Sequence, residues 1–185
     1  MFVIYANFAS NLIIKNTCKV ANITLKNNPI STSGNLPNIG EDAKDFSLIG
    51  KDLQKVTLND FKGERIVMNI FPSVDTGICA ISVKTFNEKA ANLSNTKVLC
   101  ISRDLPFAQN RFCGAENIEN VLTLSDFANG SFGKDYGLTI IDGALANLHS
   151  RCIVVLDESH KIIHTEQVDE ITSEPNYETA LAVLS

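Results

Sequence analysis

The chain is 185 residues long, with 44% hydrophobic and 20% charged residues, a net charge of -5 and a pI near 5.2. That balance suits one soluble globular domain able to bury its own core. An acidic chain without a run of Lys or Arg is not expected to bind nucleic acid. Cysteines stand at positions 18, 79, 100, 113 and 152, too few and too irregular for a disulfide framework. Their odd number points to a reducing, cytoplasmic setting in which any disulfide is transient. No Cys-x-x-Cys pair occurs, which argues against a zinc knuckle and against a redox dithiol of that spacing. His149, His160 and His164 lack the spacing of a metal site, so each is read as solvated. No metal and no other cofactor is expected.

Residues 1–20 open on an apolar stretch that Asn7 and Asn11 interrupt and Lys15 ends. It is too short for a membrane span and lacks the basic start of an export signal. Three readings stand: a weak export signal, a disordered tail, or an upstream start adding residues without a role. No membrane association is expected. The segment is set apart as an extension to a single domain, residues 21–185, made of a hairpin (21–36) and a core (37–185).

Residues 23–32 alternate on either side of an Asn27-Asn28 pair and predict a small β-hairpin, because asparagine tolerates a left-handed turn. Residues 33–40 have linker composition, and residues 46–50 and 54–58 read as two more short strands. The apolar run 65–70 reads as a buried strand. Beyond it, Cys79, Val83, Phe86, Ala90 and Leu93 fall on one face of a helix. Thr76 suits the N-cap, which places Cys79 in the first turn. Unpaired N–H groups and the positive end of the helix dipole favour a thiolate there. The same spacing equally describes a small core cysteine on an apolar face.

Residues 97–102 form another buried-strand run, and strand–helix–strand order predicts a parallel pair. Sites in such sheets gather at the carboxyl ends of the strands, where residues 72–79 lie. A short helix over 106–114 follows, with Pro106 at its start and Gly114 near its stop. Then come a strand at 121–124 and a loosely helical stretch from 125 to 136, ending at Gly137. A hairpin pairs 151–156 with 161–166, and a last helix over 175–184 shows Tyr177, Leu181 and Leu184 on its apolar face. The class is α/β, a mixed central sheet flanked by helices, with an extra N-terminal β-hairpin.

The run Phe71-Pro72-Ser73-Val74-Asp75-Thr76-Gly77-Ile78-Cys79 resembles the peroxiredoxin motif Pro-x-x-x-Thr-x-x-Cys. Further words resemble the thiol peroxidase branch of that family: Asn69-Ile70-Phe71-Pro72-Ser73, Leu99-Cys100-Ile101-Ser102, Asp104-Leu105-Pro106-Phe107-Ala108-Gln109, Arg111-Phe112-Cys113-Gly114-Ala115-Glu116 and Val168-Asp169-Glu170-Ile171-Thr172. The resemblance runs from about residue 21 to the C-terminus and leaves out the first 20 residues. It implies a thioredoxin-like fold and a thiol-specific peroxidase acting on hydrogen peroxide and alkyl hydroperoxides.

In that resemblance Cys79 matches the peroxidatic cysteine, which becomes a sulfenic acid, and Cys113 the resolving cysteine, which closes an intrasubunit disulfide with it. Thr76 matches the threonine whose hydroxyl serves thiolate and peroxide, and it also suits an N-cap. Arg151 matches the arginine that stabilises the thiolate; on its residue type alone it reads as a surface residue. Pro72 matches the proline that shields the site, although a strand terminator explains it equally. Reduction by thioredoxin and a homodimer are implied, and no cofactor. Disulfide geometry needs Cα atoms within about 7 Å, so two cysteines on separate packed helices imply local unwinding. Cys100 and Cys152 read as inert core residues and Cys18 as incidental. A peroxide sensor using the same two cysteines, or a redox-silent binding module, are the rival readings.

Overall fold

The computed structural model describes residues 21–185. Cys18 and the readings of the N-terminal extension lie outside the described residues. Two strands, β1 (Asn22–Leu25) and β2 (Asn28–Ser31), form the expected antiparallel hairpin. Its turn is Lys26-Asn27, with φ of 51° and 64°, one residue earlier than the Asn27-Asn28 pair. Asn28 instead donates from its side chain to the carbonyls of Leu25 and Lys26, supporting the turn from outside.

The main sheet contains β3 (Ser47–Ile49), β4 (Lys55–Thr57), β5 (Arg65–Ile70), β6 (Thr96–Ser102), β7 (Leu122–Ser125), β8 (Cys152–Leu156) and β9 (Ile162–Gln167). Their order is β4-β3-β7-β6-β5-β8-β9. β5 and β6 are parallel, as are β6 and β7, while β8 runs antiparallel to β5 and to β9. The sheet is mixed, as its hydrophobic patterns predict.

Alternation on the strands divides the core in two. Ile66, Met68 and Ile70 of β5 join Leu99, Ile101, Val154 and Leu156 on one face. Val67 and Phe71 join Val98, Cys100, Ile153 and Val155 on the other. The second face is covered by α1 (Gly77–Ala90) and α4 (Tyr177–Ala182), through Cys79, Val83, Phe86 and Ala180. Ala90 and Leu93 pack only at its margin. The first face receives Phe132 of α3 (Ser131–Asp135), the one helical part of the loosely helical stretch 125–136.

Three further expectations are corrected. α2 (Pro106–Glu116) begins at Pro106 but runs through Gly114 and stops at Asn117, whose φ of 54° supplies the left-handed cap. Leu184 lies past the end of α4, although it is buried in the same core. The histidines are not solvated. His149 is fully buried with Nε2 3.0 Å from Asp126 Oδ2, and the half-buried His160 holds Nε2 3.0 Å from the Phe61 carbonyl oxygen. Burial of His164 lowers its pKa, because desolvation disfavours the cationic ring.

Candidate active site

The carboxyl end of β5 leads through Phe71 and Pro72 into a loop that enters α1 at Thr76. Thr76 is the N-cap residue by backbone conformation, yet its hydroxyl accepts from no helix N–H. It lies 2.8 Å from Cys79 Sγ and 3.1 Å from the Ser73 carbonyl oxygen. One hydroxyl proton serves one acceptor at a time, so it can turn to the sulfur when that sulfur is an anion and to the carbonyl when it is not. The cap expected of this side chain is therefore given up to the thiol.

Arg151 immediately precedes β8, opposite the end of β5, and is 2% exposed. The surface position its residue type predicts does not occur. Its Nη2 donates to Cys79 Sγ at 3.5 Å, and Nε and Nη2 donate to the Ile171 carbonyl at 3.1 and 2.9 Å. Nη1 is buried without a partner among the described residues. A permanent cation and a hydroxyl thus meet on one sulfur, which is the environment that stabilises negative charge there.

A cavity of about 370 Å³ opens beside this group. Pro72, Thr76 and Arg151 line it, and Leu25, Leu145 and Ile171 form apolar walls. Leu25 comes from the N-terminal hairpin, so the hairpin is part of the pocket as well as of the fold. Pro72 is buried and stands two residues past the end of β5, a position compatible with shielding the site and with ending the strand.

Cys113 sits on α2, half-buried, and packs at the edge of the apolar cluster that contains Cys79. Burial raises its thiol pKa, offset in part by a hydrogen bond with Thr123 and by the charge of Lys51. It lines a second cavity of about 390 Å³ between α2, β7 and the β3–β4 turn. Cys100 and Cys152 are fully buried, and burial pushes their pKa values up to about 12, which disfavours the thiolate form. No group of His, Cys, Asp and Glu able to hold a metal is found among the described residues.

Several residues that shape the site carry no local signal. Asn69, fully buried on β5, donates to Ser82 Oγ at 3.2 Å, and Ser82 Oγ donates to the Cys79 carbonyl at 2.9 Å. Asp104 accepts from Ser73 Oγ and from the Val74 N–H, both at 2.7 Å. Glu170 accepts from Lys26 N, Asn27 N and Thr24 Oγ1 at 2.9, 2.9 and 2.7 Å, tying the hairpin to the segment that carries Ile171. Asp104 and Glu170 lie inside words that resemble the family; the hydrogen bonds that explain them are long-range.

Residues 38–181 match the model of the Redoxin family. The chain is 53% identical over 165 residues to the thiol peroxidase of Mycobacterium bovis, covering 89% of this chain and 99% of that protein. A peroxiredoxin-like protein from Aquifex aeolicus has a similar structure, with a TM-score of 0.84 and 36% identity over 89% of this chain and 96% of that one. A thiol peroxidase from Chromobacterium violaceum shares the fold at a TM-score of 0.79 and 18% identity, over 88% and 94% of the two chains. The near full-length identity to the mycobacterial protein and the family match agree, and the chain belongs to the thiol peroxidase family of the redoxins, which are peroxiredoxin enzymes.

Proposed function

We propose that the chain reduces hydrogen peroxide and organic hydroperoxides by an atypical two-cysteine cycle. The observation that carries this reading is the pair of donors on Cys79 Sγ, Thr76 Oγ1 at 2.8 Å and Arg151 Nη2 at 3.5 Å. Cys79 thiolate attacks one peroxide oxygen. The S–O bond forms as the O–O bond breaks, and the departing oxygen takes a proton to leave as water or alcohol. Arg151 lines the cavity, and its Nη1, buried without a partner among the described residues, is a donor available to that departing oxygen. Pro72 screens the sulfur from bulk water in this reading. The apolar walls of the cavity favour an alkyl hydroperoxide over a purely polar substrate.

Cys113 then attacks the sulfenic sulfur, forming a disulfide and releasing water. Each cysteine lies inside a helix, so α1 and α2 unwind locally to let the sulfurs meet. Thioredoxin reduces the disulfide by dithiol exchange in a reducing, cytoplasmic setting. Residues 21–36 and 37–185 act as one catalytic domain, with Leu25 of the hairpin facing the substrate cavity. A homodimer belongs to the same reading. Leu105 and Phe107, 49% and 64% exposed at the start of α2, supply apolar surface for a second copy to cover. No helix of the described residues is long and apolar enough to cross a membrane.

The test is non-reducing mass spectrometry after one equivalent of peroxide, combined with two variants. The wild type should yield a Cys79–Cys113 disulfide. Cys79→Ser should abolish peroxide consumption, and Cys113→Ser should allow one turnover without thioredoxin-dependent recycling. Undiminished consumption by Cys79→Ser would refute the reading.

A further inference from the structure

The loop before Cys79 and the helix that carries Cys113 are fastened to the same strand end. β6 finishes at Ser102, and two residues later Asp104 turns its carboxylate back toward β5. Oδ1 accepts from Ser73 Oγ at 2.7 Å; Oδ2 accepts from Val74 N at 2.7 Å and from Ser102 Oγ at 2.8 Å. Ser73 is itself the anchor of the loop, because its carbonyl accepts from Thr76 N at 3.1 Å and lies within reach of Thr76 Oγ1.

On the other side, Ser102 Oγ accepts at 3.0 Å from Nε2 of Gln109, a buried residue of α2. The same amide donates to the Leu124 carbonyl at 3.1 Å. Ser125 Oγ, also buried, donates to the backbone carbonyl of Asp104, and Asp104 stands two residues ahead of Pro106, where α2 begins. A second link, Arg111 to Asp75 at 3.2 Å, spans the same two elements, but both side chains are exposed and such pairs contribute little. A continuous hydrogen-bonded path between the two cysteine-bearing elements runs through Ser73 and Asp104, both partly buried, to the buried Ser102 and Gln109.

We propose that Asp104 is a positioning residue that holds the peroxidatic loop and α2 in the closed arrangement, and so sets how oxidised Cys79 divides between disulfide formation and further oxidation. This inference rests on the two-cysteine reading above. The closed arrangement is the one in which Thr76 and Arg151 both reach the sulfur, so the carboxylate speeds the first step. It opposes the second, in which both elements must loosen before Cys113 attacks the sulfenic sulfur and water leaves. While the site stays closed, a second hydroperoxide can oxidise the sulfenic acid to a sulfinic acid, itself being reduced to alcohol. Asp104 therefore acts in opposite directions on the two steps, which a residue needed only for folding would not do.

The experiment compares full-length wild type and Asp104→Asn, with Ser73→Ala as a second variant that removes one donor and leaves the carboxylate. Rapid-quench mass spectrometry across rising peroxide reads three species of Cys79: sulfenic acid, disulfide and sulfinic acid. For D104N the rate of sulfenic acid formation should fall about tenfold, the size of one charge-assisted hydrogen bond. The sulfinic fraction per turnover should fall as well, and S73A should move both readings in the same direction by less. Equal slowing of both steps, unchanged kinetics, or a higher sulfinic fraction would overturn the role of Asp104. Absence of a Cys79–Cys113 disulfide in the wild type would instead overturn the two-cysteine reading itself, and the role in partition with it.

Discussion

Two hydrogen bonds join the Arg151 guanidinium to the Ile171 carbonyl, from Nε at 3.1 Å and Nη2 at 2.9 Å, and they fix the plane from which Nη2 also reaches Cys79 Sγ. The forked guanidinium satisfies carbonyl and sulfur together, which a lysine ammonium on a flexible stem does not. Arg151→Lys should slow oxidation of Cys79 by about a hundredfold, the order found when one preorganised donor is lost at a charged transition state. Stopped-flow peroxide consumption checks this. A rate within twofold of wild type would remove Arg151 from the chemistry.

Ile171 owes its position to Glu170 and the hairpin. The Ile171 N–H donates to the Thr24 carbonyl at 2.9 Å, and Glu170 gathers the N–H groups of Lys26 and Asn27 around its carboxylate. Thr172 adds its own N–H and hydroxyl at 3.1 and 2.6 Å. These donors, the Asn27 N–H foremost, hold the Glu170 pKa far below its ordinary 4.5. A carboxylate depressed in the folded state adds stability that is present above pH 4.5 and disappears as pH falls toward the folded value. Thermal melts should therefore lose stability progressively below pH 4.5, and Glu170→Gln should lower the neutral-pH melting temperature while flattening that acid limb. Parallel acid limbs for the two proteins would show that the clamp contributes nothing.

How far the residues themselves foretold this arrangement depends on whether the determining interaction is local. The strand at Arg65–Ile70 and the helix carrying Cys79, Val83 and Phe86 follow from hydrophobic spacing, and the structure contains both. The hairpin turn shifted by one residue because Glu170, far along the chain, pairs with the N–H of Lys26 and stabilises a left-handed lysine. Gly114 did not stop α2, since a glycine inside a helix is tolerated and Asn117 offered the left-handed cap. Burial of Arg151 was not visible from residue type, because its partners Ile171 and Cys79 converge only after the sheet closes. The family resemblance singled out Arg151 where local pattern did not. Asp104, Asn69 and Ser82 meet their partners on other elements, Ser73 and Val74 for Asp104 and each other for Asn69 and Ser82, only once the sheet and helices have assembled.

Burial keeps Cys113 protonated while α2 is intact, with its pKa above the ordinary thiol value of 9.0. A raised folded-state pKa makes a contribution that is complete below pH 9.0 and is lost as pH rises through the higher folded value. Alkaline conditions should accordingly favour the unwound segment. Iodoacetamide should label Cys113 more slowly than a free thiol near neutrality, and labelling should climb only above pH 9.0. Removing the Thr123 hydroxyl, which favours the thiolate, should move that rise further toward alkaline pH. Labelling of Cys113 at the free-thiol rate at neutral pH would contradict a sequestered resolving cysteine.

On the sheet face away from Cys79, Asp126 accepts from the N–H groups of Phe132 and Gly133 at 3.4 and 3.1 Å and bonds His149 Nε2 at 3.0 Å. Asp126 and His149 are 2% and 0% exposed, so removing the carboxylate strands two helix N–H groups and an imidazole nitrogen without water. Asp126→Ala should cost about 3 kcal/mol of unfolding free energy, in line with buried groups left unpaired. The chemistry at Cys79 should persist in the fraction that remains folded, because no residue of this group touches the sulfur. Gly133→Ala tests the packing separately. A Cβ there would lie 2.5 Å from Thr139 Oγ1 and 2.8 Å from the His149 ring, closer than side-chain atoms approach. It should destabilise by about 1–3 kcal/mol in urea denaturation while leaving the initial rate of Cys79 oxidation unchanged. Loss of oxidation rate in folded Gly133→Ala would show that the two faces of the sheet are coupled.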